Sequence, residues 1–119
     1  MRTFLSRTYD RFFWSWNGLS DSFRNEHSFR YWVWANIGSA ALAFWLPLTH
    51  GERGLIICLG LMVMVVELLN TAIENTVDYI STERHPLAGR IKDAASAGVM
   101  LSAFIVAVAW GFALARLYL

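Results

Sequence analysis

Hydrophobic and polar positions divide the chain into four segments. From Leu5 to Phe23 the large apolar side chains Leu5, Tyr9, Phe12, Phe13, Trp16, Leu19 and Phe23 recur every three or four positions, with Arg2, Arg7, Asp10, Arg11, Asn17 and Asp21 between them. That period predicts an amphipathic helix within residues 1–30, interrupted near Asn17-Gly18. Three uncharged or nearly uncharged segments follow. Residues 31–49, "YWVWANIGSAALAFWLPLT", would as a helix cover roughly 28 Å, about one hydrocarbon core, with Pro47 tolerable near its end. Residues 54–77 carry the apolar run "GLIICLGLMVMVV", and residues 94–116 open with 22 uncharged residues and close on Arg116. Only "HGER" at 50–53 separates the first two, which predicts a tight helical hairpin. The whole is read as an all-α integral membrane protein: an amphipathic helix lying in the interface, three transmembrane helices, and a polar loop at 78–93.

Composition agrees with this reading. The chain has 119 residues, enough for a single domain, with 56% hydrophobic and 16% charged residues, well away from the soluble balance. Aromatic residues are plentiful, as membrane interfaces favour. A net charge of +1 gives no footprint for nucleic acid. The lone cysteine, Cys58, excludes an internal disulfide and is expected to be a small buried side chain. No signal-type apolar stretch precedes residue 31, so the first span is expected to remain in the protein. Basic residues set the topology. Arg2, Arg7, Arg11, Arg24 and Arg30 precede the first span, and Arg84, Arg90 and Lys92 lie between the second and third, against Arg53 and Arg116 on the other side. The N-terminus and the 78–93 loop are therefore expected in the cytoplasm and the C-terminus on the outer face.

The chemistry concentrates in "ELLNTAIENTVD", residues 67–78. Glu67, Asn70, Glu74 and Asp78 follow at spacings of three, four and four, within about 80° of one another on a helix. Glu67 is expected roughly 10 Å inside the end of the apolar segment, where an unpaired carboxylate costs a few kcal/mol or more. An acid kept at that depth marks a site. Asp78, at the water boundary, is accounted for by solvation, and Asn70 taken alone by interhelical hydrogen bonding. A buried acid suited to proton abstraction and a second carboxylate nearer water, able to hold a divalent cation, would together serve phosphoryl transfer. The following loop, "STERHPLAGRIKD", offers Arg84, His85, Arg90 and Lys92 to phosphates. Neither a Walker sequence nor a GxGxxG is present. Ala94, Gly98 and Ser102 form a small-residue face, open either to close approach by another helix or to ordinary packing.

The stretches "VELLNTAIENTVD" and "HPLAGRIKDAASAGV" closely resemble the signature region of the prokaryotic diacylglycerol kinase family of small membrane kinases. Upstream, "WNGL" at 16–19 and "RNEHSFR" at 24–30 resemble its N-terminal region. The resemblance implies a homotrimer in a bacterial inner membrane, with active sites at the membrane interface between subunits. These would transfer the γ-phosphate of ATP, with Mg²⁺, to the hydroxyl of diacylglycerol. It implies Glu67 as general base, Asn70 as the residue that orients base or hydroxyl, and Glu26 and Glu74 as metal ligands. Arg7, Trp14, Glu83, Arg84, His85, Lys92 and Asp93 would join Glu26 and Glu74 around the nucleotide. Arg30, Ser96 and Trp110 would meet the lipid beside Glu67. Within the family, "HPLA" resembles the undecaprenol kinase branch, while "GRIKD" and the downstream "SA" resemble the diacylglycerol branch. A rival of another class is a small proton-coupled exporter built around a membrane glutamate, but such proteins usually have four spans and lack a polar stripe running to a basic loop.

Overall fold

The computed structural model describes residues 3–119, so Arg2 lies outside the described residues. The described chain consists of four helices, α1 (Phe4–Asn25), α2 (His27–Trp45), α3 (His50–Ile80) and α4 (Pro86–Tyr118). Helix α1 is continuous through Asn17-Gly18, against the interruption expected there. A single glycine costs a helix only about 1 kcal/mol relative to alanine, too little to break one held by a regular apolar period. The break falls instead at Glu26, which is extended (φ −107°, ψ 110°) while its N–H still closes on the Ser22 carbonyl at 2.9 Å. Arg30 fastens this corner. Its Nη1 donates to the carbonyls of Phe23 (3.0 Å) and Arg24 (2.7 Å), which would otherwise be orphaned at the end of α1.

The other connections follow equally local rules. Helix α2 stops before Pro47, because the residue ahead of a proline is pushed out of the helical region; Leu46 sits at φ −79°, ψ 151°. "HGER" is the first turn of α3 and not a loop, because Thr49 and Glu52 form a reciprocal capping box (2.8 and 3.1 Å). The turn between α2 and α3 is accordingly 46–49. Arg53 fills it, its Nε donating to the Ala43 carbonyl at 2.8 Å and its Nη2 to those of Leu46 (3.3 Å) and Leu48 (3.4 Å). Its guanidinium also lies 5.1 Å from the centre of the Phe44 ring. Near the same end Arg116 joins Glu52 through Nε (2.8 Å) and Nη2 (2.7 Å), fixing the far end of α4. Between α3 and α4 only residues 81–85 leave the helices. Pro86 starts α4 at a position where its missing N–H costs nothing, and His85 caps it, Nδ1 accepting from the Leu87 N–H at 3.1 Å.

Helix α3 packs against both α2 and α4, whereas α1 touches mainly α2. The interior is thin. Ala43, Leu48, Ile56 and Ala113 form a buried cluster at one end, and Val63 and Val99 are buried further along. At Gly60 the Asn36 side chain of α2 sits directly on α3, so that a Cβ there would collide with Asn36 Oδ1. A Cβ at Gly98 would be in van der Waals contact with Val66, and the Ser102 hydroxyl is buried on the Val99 carbonyl. The small-residue face of α4 thus serves, at least in part, close packing on its own α3. Cys58 is exposed, against the expectation of burial, because α3 turns its Ile56-Gly60-Val63 face inward.

Large apolar side chains face outward along the molecule, among them Trp34, Trp45, Phe104 and Phe112. Helices α3 and α4, at 31 and 33 residues, are each long and apolar enough to cross a membrane. Bilayer lipid or neighbouring copies of the chain would cover such surface.

Candidate active site

Helical spacing and the packing of α3 together produce the site. Glu67, Asn70 and Glu74 share one face, and that face is turned toward the start of α2 and the first half of α4. Glu67 is 2% exposed and Asn70 8% exposed, so the acid predicted at depth is buried by protein as well. Its Oε1 accepts a 2.6 Å hydrogen bond from the hydroxyl of Ser28, in the first turn of α2. Asn70 donates through Nδ2 to Glu74 Oε1 at 3.3 Å, while its Oδ1 is buried with no hydrogen-bond partner. Native interiors seldom leave such an oxygen unmet, which makes it a natural contact for a ligand donor or a cation.

Around these groups lies an open cleft of about 420 Å³, lined by Ser28 and Trp32 from α2, Glu67, Asn70 and Glu74 from α3, and Ser96 and Val99 from α4. One wall is acidic and hydrogen-bonding, the other apolar. Such a lining offers polar contacts on one side and an apolar surface on the other.

A second cleft of about 470 Å³ lies at the turn between α3 and α4, lined among others by Asp78, Glu83, Arg84, His85, Gly89 and Lys92. Lys92 Nζ meets Asp78 Oδ1 at 2.6 Å, with both side chains well exposed. Asp78, which solvation alone would explain, therefore has a partner across the turn. Glu67 and Asp78 are about 16 Å apart along α3, but the clefts nearly adjoin there, Glu74 of the first and Val77 of the second being about 5 Å apart by helical rise.

The structure thus gathers Glu67, Asn70, Glu74 and Ser96 into one cleft and Glu83, Arg84, His85 and Lys92 into the other. Asp93, next to Lys92, is exposed and lines neither. Glu26, half-buried, forms the corner between α1 and α2, two residues ahead of Ser28; its side chain makes no cap bond to α2. Arg7 and Trp14 lie on the exposed surface of α1. Arg30 holds the end of α1, as described. Trp110 is about 21 Å along α4 from Ser96, by helical rise. There its Nε1 donates to Ser39 Oγ at 2.9 Å, beside the Ala43–Ala113 cluster. Sequence reasoning missed Ser28 as a member of the site. A serine 39 positions from Glu67 carries no periodic signal, and only the packing of α2 on α3 joins the two.

Residues 13–114 match the family model described as prokaryotic diacylglycerol kinase, which takes in both clefts and all but the first turns of α1. The chain belongs to the prokaryotic diacylglycerol kinase family. Among its relatives, proteins named diacylglycerol kinase are 43% identical over 93 residues in Pseudomonas aeruginosa (78% of this chain, 76% of the relative) and 44% identical over 97 residues in Haemophilus influenzae (82% of each). Another of that name, from Escherichia coli, is 40% identical over 96 residues, covering 81% of this chain and 79% of the relative. Family membership also disposes of the exporter reading, for which no observation remains.

Proposed function

We propose that this protein is a diacylglycerol kinase, transferring the γ-phosphate of ATP to the free hydroxyl of diacylglycerol to give phosphatidic acid. The observation that carries this reading is the buried Glu67 in a cleft with one polar and one apolar wall, in a chain whose named relatives are diacylglycerol kinases. Those relatives favour diacylglycerol over undecaprenol as the acceptor.

In this mechanism the lipid hydroxyl enters the cleft beside Ser96 and gives its proton to Glu67. Its oxygen forms the new bond to the γ-phosphorus as the bond to the ADP oxygen breaks. Asn70 orients the hydroxyl or the base. Lys92, Arg84 and His85, with Glu83 and Asp93 beside them, bind the nucleotide at the α3–α4 turn, and Arg7 and Trp14 approach it from α1. The surrounding cations offset charge on the transferred group. Positioning and electrostatics supply most of the acceleration, because phosphoryl transfer asks for little covalent chemistry from the protein.

A divalent cation fits the donors at hand. Among the described residues no three His, Cys, Asp or Glu side chains converge, so an all-protein cage is not formed. Mg²⁺ does not need one, since it takes one or two carboxylates and completes its shell with phosphates and water. Glu74, with Glu26 from the α1–α2 corner, would hold it, and the unpartnered Asn70 Oδ1 is a further hard oxygen at the same place. When bound, the ion neutralises phosphate charge.

The cellular setting follows the same reading. Helix α2, about 28 Å long, joins α3 and α4 as a third span, and α1 rests in the interface with its aromatic face in lipid. The N-terminus and the α3–α4 turn face the cytoplasm of a bacterial inner membrane, where ATP is available, and the C-terminus faces outward. Three copies assemble, covering the outward apolar faces and completing the sites between subunits. The test is direct: purified protein in nanodiscs containing diacylglycerol should form phosphatidic acid with ATP and Mg²⁺. No lipid phosphate formed while the protein remains folded would reject the reading.

A further inference from the structure

The bond between Ser28 and Glu67 has no part in the mechanism above. Ser28 belongs to the first turn of α2, immediately after the corner made by Glu26, and lines the cleft with Glu67. Its Oγ lies 2.6 Å from Glu67 Oε1, the length of a strong bond between a hydroxyl and a carboxylate. Among the described residues it is the one hydrogen-bond partner recorded for this carboxylate. We propose that Ser28 is a positioning residue for catalysis: its hydroxyl holds one oxygen of Glu67 so that the other is presented to the acceptor hydroxyl.

The argument is geometric. A glutamate side chain has three rotatable bonds, and a carboxylate on a helix face can swing among several rotamers, of which few point a lone pair at a substrate oxygen. Burial on α3 limits the space, but only a directional contact selects the rotation of the carboxylate plane. Ser28 supplies that contact from another helix, with its own position set by the α1–α2 corner. Because the serine hydroxyl donates its hydrogen bond to Oε1, Oε2 remains to accept the proton of the incoming alcohol. A threonine would preserve this arrangement; an alanine would leave Glu67 buried without a donor.

This inference rests on the kinase reading and is tested by turnover in nanodiscs at saturating diacylglycerol. Ser28→Ala is expected to lower kcat about tenfold, the usual worth of one hydrogen bond to a charged group, with the KM for MgATP unchanged within about twofold. Ser28→Thr is expected to retain at least about half of the wild-type kcat, since it restores the hydroxyl. Combined with Glu67→Asp, whose shorter side chain withdraws from Ser28, the Ser28→Ala change should alter kcat by less than about twofold, because the serine acts through the glutamate. A Ser28→Ala protein with wild-type kcat would overturn the proposal. So would a fall in kcat matched by a lower thermal midpoint and left uncorrected by threonine, which marks a helix staple only. Absence of turnover in the wild-type protein would instead remove the kinase reading, and this role for Ser28 with it.

Discussion

Replacing Glu67 by glutamine separates its chemical role from its structural one. The amide has nearly the volume of the carboxylate, and its carbonyl oxygen can still accept the Ser28 hydrogen bond seen at 2.6 Å, so the contact between α2 and α3 survives. What disappears is basicity. A positioned general base contributes about 10²- to 10⁴-fold, so kcat should fall by that factor, equivalent to about 2.7–5.4 kcal/mol in the activation barrier. Stability should move the other way or not at all. Glu67 is 2% exposed, and a charge kept from water with one hydroxyl donor is less favourable than a neutral amide in the same place. The assay is phosphatidic acid formation in nanodiscs at saturating lipid, alongside the thermal midpoint and the KM for MgATP. A Glu67→Gln protein that keeps its fold and turns over within about tenfold of wild type would refute the base assignment. One that loses its thermal transition would show the acid to be structural.

Four further outcomes follow from individual contacts. Gly60→Leu drives side-chain atoms into Asn36 and should destabilise by about 1–3 kcal/mol in a reversible unfolding titration, with much of the loss recovered by adding Asn36→Ala. Arg53→Ala removes a donor from the carbonyls of Ala43 and Leu48, while that of Leu46 keeps the Leu48 N–H at 2.8 Å, and should cost about 1–3 kcal/mol by the same measurement; Arg53→Lys, lacking the planar fork, should restore less than half. Asp78→Asn should change stability by less than about 0.5 kcal/mol, since its ion pair with Lys92 is well exposed, whereas Lys92→Ala should raise the KM for MgATP at least about tenfold with little change in thermal midpoint. A Lys92→Ala enzyme with wild-type KM would remove Lys92 from nucleotide binding.

The sequence by itself determined the helical character of the chain and the polar stripe of α3. Both are one-dimensional periodicities: apolar runs of spanning length, and Glu67, Asn70 and Glu74 at helical spacing, survive any reasonable packing. Its short motifs identified the family before any geometry was known. Boundaries were less legible, because a capping box such as Thr49-Glu52 or a proline-directed stop at Leu46 acts over a few residues that hydropathy averages away. Tertiary structure alone decided the partners. Ser28 reaches Glu67, Asp78 meets Lys92, Arg30 turns back onto α1, and Trp110 bonds Ser39, each through a spatial approach that no spacing encodes. Which side of α3 faced inward was also a matter of packing: the small surface of Gly60 and the buried Ile56 and Val63 drew the neighbouring helices there and left Cys58 outside. The same packing encloses Glu67, because the face that carries the acid lies under the start of α2 and against the first half of α4.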